Sequence, residues 1–106
     1  LSVHAITIGQ IDLPINKIYA CQTQQDTIGK NVTQVFVKDD EHIYRIPSPL
    51  RGLFAKIDDP SFLWVDKNVF IHKNHIQDPL EIKLSAKVTL YGNQFKVSRR
   101  KMKQFY

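Results

Sequence analysis

Apolar residues in this chain fall in short runs broken by turn formers, and only one segment keeps a helical period. That pattern restricts the fold to a mainly β arrangement of short antiparallel strands. The clearest run is residues 82–90, where Ile82, Leu84, Ala86, Val88 and Leu90 alternate with Lys83, Ser85, Lys87 and Thr89. A period of two predicts a half-buried strand with a polar, cationic outer face. Tyr91-Gly92-Asn93 supplies a turn that tolerates positive φ, and Phe95 and Val97 resume the alternation, so residues 82–98 read as a hairpin. A second hairpin is expected from residues 32–37 and 43–46, joined around Lys38-Asp39-Asp40-Glu41. Further strands are expected at residues 3–8, 11–13, 17–22, 62–65 and 69–71, with Pro14 and Asn16 as breaks and Asp66-Lys67-Asn68 as a turn.

The helical exception is the set Leu50, Leu53, Phe54 and Ile57, spaced i, i+3, i+4 and i+7 along one face. It predicts a short helix over residues 48–57, with Ser48 as N-cap, Pro49 as the first helical residue and Asp58-Asp59-Pro60 as the stop. Gly52 inside it costs about 1 kcal/mol relative to Ala. A last helical turn, capped by Ser98, is expected over residues 98–104.

A chain of 106 residues, 42% hydrophobic and 24% charged, is expected to form one globular domain over residues 1–106. No apolar run reaches the roughly 20 residues that span a bilayer, and no leader is visible, so the expected location is cytoplasmic, without membrane contact. The start at Leu1 rather than Met suggests the C-terminal effector part of a longer protein, or a processed start. The single cysteine, Cys21, excludes an intrachain disulfide and comes after Ile18, Tyr19 and Ala20, as a small buried hydrophobe would. Asn31-Val32-Thr33 has the form of a glycosylation acceptor, a coincidence in a chain with no secretory leader.

The formal charge of +5 is unevenly placed. Glu81 is the last acidic residue, and Lys83, Lys87, Lys96, Arg99, Arg100, Lys101 and Lys103 come after it. Residues 1–81 carry eight cations against ten carboxylates, a net −2. A one-signed terminal segment is the electrostatic footprint of a nucleic-acid surface, because each neutralised phosphate releases condensed counterions. On charge alone, a solvated basic tail reads equally well.

Chemistry of other kinds is not prominent. His72-x-x-His75 is the close histidine pair, but Val69, Phe70 and Ile71 place it where a strand enters a turn, so the rings are expected to diverge as loop histidines and no metal site is expected. The glycines are isolated, so no phosphate-cradling loop forms. Asp39-Asp40 and Asp58-Asp59 fit turns, and no nucleophile elbow is present. The reading is a non-enzyme with no catalytic residues and no cofactor. What remains are polar and basic residues at strand ends: residues 25–31, Lys67-Asn68, His72-Lys73-Asn74 and residues 98–103. Lys, Arg, Asn and Gln donate to phosphates and base edges, and loops on a β scaffold present such contacts as well as a helix does.

The run Phe62-Leu63-Trp64-Val65-Asp66-Lys67-Asn68-Val69-Phe70-Ile71-His72-Lys73-Asn74-His75-Ile76 resembles a segment that reads Phe, any, Arg, any, His-Lys-Ser, apolar residues, Asn and a later Ile. Val97-Ser98-Arg99-Arg100, after an alternating strand and a Gly-Asn turn, resembles a terminal Val-Ser-Arg motif. Both, with a short helix between hairpin and Phe62, resemble the LytTR DNA-binding domain of bacterial transcriptional regulators over nearly the whole chain. The resemblance implies an elongated arrangement of small antiparallel sheets whose loops enter successive major grooves of duplex promoter DNA. It also implies an N-terminal receiver domain, as in two-component response regulators, and a dimer on repeated half-sites. Lys67 and Arg99 match positions that contact DNA, and the first DNA loop falls around residues 29–32. The candidate contacts are therefore Lys30, Asn31, Lys67, Asn68, His72, Lys73, Arg99, Arg100, Lys101 and Lys103, with the last three cations on phosphates, beside backbone amides freed at Ser98. Asp66 stands for the family's His, Asn68 for its Ser, His72 for its Asn and Trp64 for a common Arg; Trp64 is expected in the core. The rival readings are a β-rich RNA or single-strand binder and a protein-interaction module with a basic surface. The first needs exposed aromatics on a sheet face, which residues 82–90 lack.

Overall fold

The structure, a computed structural model, describes residues 5–8, 11–25 and 27–105. Its centre is a five-stranded antiparallel sheet of order β5-β4-β3-β7-β6. These strands are β3 (Ile18–Gln25), β4 (Asn31–Val37), β5 (Tyr44–Ile46), β6 (Phe62–Asp66) and β7 (Val69–His72). Two hairpins stand apart from it: β1 (Ala5–Ile8) with β2 (Ile11–Pro14), and β8 (Lys87–Leu90) with β9 (Asn93–Lys96). Helices α1 (Leu50–Ile57), α2 (Pro79–Ser85) and α3 (Arg99–Met102) complete the described elements, with 3-10 turns at Ile15–Lys17, Lys73–His75 and Lys103–Phe105. The result is a slab of 41 × 40 × 25 Å, so the long dimension expected of the arrangement is shared by two axes.

Most expected strands form where the alternation places them, although residues 3 and 4 of the first lie outside the described residues. The sheet is covered on both faces. On one, Leu50, Leu53 and Ile57 of α1 join Leu13, Ile15, Cys21, Val35 and Phe70 in a single cluster. On the other, Ile82, Val88, Leu90, Phe95 and Val97 pack against Tyr19, Ala20, Phe36, Val69 and Ile71. Consecutive residues of β4 and β7 thus belong to opposite cores, as the period of a strand requires. Cys21 is fully buried, and burial pushes its thiol above the ordinary range.

Three expectations are corrected. Residues 82–85 are not strand: they belong to α2, and the strand begins at Lys87. Asp78 caps this helix by accepting from the Leu80 N–H at 3.1 Å, Pro79 opens it and Glu81 lies in its first turn, a combination that outweighs the two-residue alternation. Leu84, a core position in the strand reading, is 77% exposed. Ala86 ends the helix in the left-handed region at φ 54°, and Glu81 ties it to β8 by accepting from the Thr89 N–H and hydroxyl at 2.6 and 2.7 Å. At α1, the helix starts at Leu50 after Pro49, and Ser48 makes no side-chain cap; its carbonyl accepts from the Thr33 hydroxyl at 2.6 Å instead. Ser98 precedes α3 but likewise makes no side-chain cap. The β8–β9 turn agrees with expectation, with Tyr91 at φ 48° and Gly92 at φ 87°, both positive as a two-residue hairpin turn of primed type requires.

The histidines also differ from expectation. His72 ends β7 inside the fold, 5% exposed, with its ring 4.8 Å from that of Phe62. The 3-10 turn after it curls back, so the His72 and His75 rings meet at 4.9 Å rather than diverge. Among the described residues no group of three ligand-type side chains forms around them. His75 donates from Nε2 to the Asn16 carbonyl at 2.8 Å, which leaves Nδ1 to accept from the Tyr91 hydroxyl at 2.6 Å. His72 Nδ1 accepts from the Asn74 N–H. Desolvation first, then the nearby His75, hold His72 below the ordinary imidazole value of 6.5, against the opposing pull of Asp59. The unfolded chain therefore binds this proton at higher pH than the folded one. Its contribution to stability is full above about pH 6.5 and is lost as pH falls below that value. We expect the melting temperature to fall with acidification in this range and the fall to be smaller in His72→Gln, measured by circular dichroism at several pH values. An equal acid limb in both would place the sensitivity elsewhere.

Candidate nucleic-acid interface

Strand pairing brings the sequence-distant polar turns to one end of the central sheet. Gln25 pairs with Asn31 at the end of the β3–β4 hairpin. Gln22 pairs with Val69, and the Thr23 N–H donates to the Asn68 carbonyl at 3.0 Å, so the β6–β7 turn lies beside that hairpin. Thr33 pairs with Ile46 and bonds Ser48, which carries the start of α1 to the same end. A cavity of about 380 Å³ lined by Asn31, Ser48, Arg51, Lys67 and Asn68, among others, marks where these segments meet.

The C-terminal cations are held at the adjoining corner by an irregularity in β6. Trp64 pairs with Phe70 and Asp66 with Val69, so Val65 is an extra residue with no partner on β7. Such a bulge bends its strand and re-aims the side chains beyond it. Because β6 is also the edge strand, the Val65 carbonyl is available to the C-terminal segment and accepts from the Ser98 N–H at 2.7 Å. Gln104 adds a bond from its side-chain amide to the Trp64 carbonyl at 2.7 Å. The turn carrying Arg99, Arg100, Lys101 and Lys103 is thereby clamped beside Lys67.

Between them is a groove of about 640 Å³. Its floor is Phe54 and Trp64, with ring centroids 5.1 Å apart, and Trp64 is half-buried against the core. Arg51, Lys67, Arg100 and Lys101 surround that floor against one carboxylate, Asp66. Positive charge beside a low-polarity surface is screened less than in open water. Asp39, Asp40, Glu41, Asp58 and Asp59 lie at the other end, on the turn leaving β4 and on the segment leaving α1. There Asp40 accepts from the Tyr44 hydroxyl and the His42 N–H, which hold its carboxyl below the usual range.

Residues 9–106 match the family model of the LytTr DNA-binding domain. The chain belongs to the LytTR DNA-binding domain family. This LytTR domain also shares its fold with a solved structure, the LytTr DNA-binding domain of a protein described as a methyl-accepting/DNA response regulator from Bacillus cereus. The TM-score is 0.67 at 18% identity, over 99% of this chain and 94% of that one. No curated protein sequence matches the chain.

In this LytTR domain the structure brings together Asn31, Lys67, Asn68, Arg100 and Lys101, with Lys30, Arg99 and Lys103 exposed on the same turns. It separates His72 and Lys73 from them. Both sit at the far end of β7, where the Lys73 N–H bonds the Ser61 carbonyl and His72 is buried. Arg51 is the residue the sequence reading missed. It is exposed and lines both cavities. Its signal was a cation on the polar face of a helix start, which means nothing until the sheet order places that start beside Lys67.

Proposed function

We propose that this LytTR domain binds double-stranded DNA sequence-specifically through this basic end of the sheet, as the effector part of a bacterial transcription regulator. One observation carries the reading: basic and amide side chains from four separate segments converge on one end, while the carboxylates of two turns lie at the other. That polarity attracts a polyanion to one side and orients it. Arg51, Lys67, Arg100, Lys101 and Lys103 are assigned to phosphates by their side-chain chemistry, and Asn31, Asn68 and Arg99 to base edges, from turns proposed to enter the major groove. α3 is a single turn, so its cations rather than freed backbone amides are assigned the phosphates. Asp66 is the one carboxylate lining the groove, outnumbered by Arg51, Lys67, Arg100 and Lys101, and is not assigned a DNA contact. His72 and Lys73 are left out of the interface on burial and position. An upstream receiver domain and a dimer on repeated half-sites complete the proposal.

A single-strand or RNA reading needs an open aromatic sheet face, and both faces of the five-stranded sheet are covered. The test is a salt-titrated binding series with a library-selected duplex, a scrambled duplex, a single strand and an acidic protein. Preference for the selected duplex supports the proposal; equal binding to all four reduces the basic end to a non-specific surface. Arg99→Ala should cost about 1–3 kcal/mol on the selected duplex and relax the choice at one base position. An unchanged dissociation constant would remove Arg99 from the interface.

A further inference from the structure

Ile28 is 82% exposed, the most exposed large apolar side chain among the described residues. It sits at the apex of the β3–β4 hairpin, beyond its last pair Gln25–Asn31, with Gly29 turning the chain at φ 81°. A lone aliphatic on an ordinary surface asks for no explanation. This one crowns the segment whose flanking residues, Lys30 and Asn31, are polar, exposed and at the same end as Lys67 and Asn68. The strongly exposed leucines, Leu80 and Leu84, lie instead on α2, away from any hairpin apex.

Resting on the duplex reading above, we propose that Ile28 reads the C5-methyl group of a thymine, and that the hairpin apex is an A·T-selecting element. The major groove admits a two-stranded β-ribbon, and the thymine methyl is the apolar feature that groove displays. An sp³ side chain with no donor gains nothing from phosphate, which is the province of the surrounding cations. An adenine beside that thymine offers N6 and N7, the bidentate match for an amide such as that of Asn31. Apolar and amide contacts from one turn thus select the same kind of base pair by two independent groups.

The experiment uses the 106-residue chain and the duplex recovered from a random library. Each thymine is replaced in turn by uracil, which removes one methyl and nothing else, and dissociation constants are read by fluorescence anisotropy for wild type, Ile28→Val and Ile28→Ala. Wild type should lose about fourfold at one thymine, the value of burying a single methyl. Ile28→Ala should bind the parent duplex about fourfold to tenfold more weakly and be indifferent to uracil at that position, while Ile28→Val keeps the sensitivity. Because the residue is exposed, the melting curves should coincide; if Ile28→Ala melts lower, wild type against Ile28→Val decides. The proposal is overturned if no uracil costs affinity, if Ile28→Ala keeps the wild-type response at every thymine, or if Ile28→Ala leaves duplex binding unchanged, as a protein or membrane role for the side chain would require. An enriched duplex with a flat uracil scan sinks Ile28 alone. A library that yields no preferred sequence sinks the duplex reading with it.

Discussion

Leu53→Asp is expected to abolish the cooperative thermal transition of the domain. Leu53 is 4% exposed on the inner face of α1, in the same cluster as Leu50, Ile57, Val35 and Phe70. Truncation alone at such a site, as in Leu53→Ala, removes about 2–5 kcal/mol. The carboxylate adds a desolvation cost of several kcal/mol, whether it stays charged or takes up a proton to avoid it. A domain of this size holds roughly 5–15 kcal/mol in all, so the sum consumes most or all of it. Circular dichroism melts and size-exclusion profiles of both variants test this. Leu53→Ala should melt cooperatively at a lower temperature, and Leu53→Asp should show a flat trace or elute as aggregate. A soluble Leu53→Asp with the wild-type melt would mean that α1 does not seal the sheet face it covers.

The second large effect concerns binding. Replacing Arg100, Lys101 and Lys103 together by Gln should weaken duplex affinity by on the order of a hundredfold at moderate salt, about equally for selected and scrambled sequences. All three are exposed on the clamped C-terminal turns, and the first two line the groove with Lys67. If each neutralises one phosphate, the slope of log affinity against log salt flattens by up to about 3 units, near 0.9 per contact. Folding should be untouched, since none of the three is buried. Parallel salt plots for wild type and the triple variant would mean that these cations face solvent in the complex. A loss confined to the selected duplex would instead make at least one of them a base reader.

The elements legible in the sequence were those whose periodicity had a single interpretation. The α1 stripe keeps its period over two turns, and the β6–β7 and β8–β9 hairpins carry unambiguous turn residues between apolar runs. α2 was misread because Ile82, Leu84 and Ala86 also fit a strand, and a short window cannot separate the two periods when an apolar residue such as Leu84 ends up in solvent. The capping signals at Asp78, Pro79 and Glu81 stand just before that run, and a reading by alternation alone passes over them. The bulge at Val65 leaves no trace in local composition. For the site, the cations were visible as charge, but their meeting was not. It depends on β3 lying between β4 and β7, a non-local pairing that brings Asn31, Arg51 and Lys67 together. His72 was misplaced for a related reason: whether a histidine at a strand end is wet or dry is decided by Phe62 and His75, not by its neighbours in sequence.

The unpaired residue in β6 bears on how such a domain can diverge. Deleting Val65 would restore ordinary pairing, slide Asp66 and Lys67 by one position and take away the carbonyl that anchors Ser98. No side chain proposed to face DNA would be lost, yet two of the proposed reading elements would come out of step. Insertions and deletions are therefore tolerable at the β3–β4 apex, which projects past its last strand pair, and ruinous at Val65. On the proposed binding mode, new operator preferences should arise by altering the length and residues of the apex, while the bulge fixes the separation between the middle turn and the C-terminal turn like a gauge.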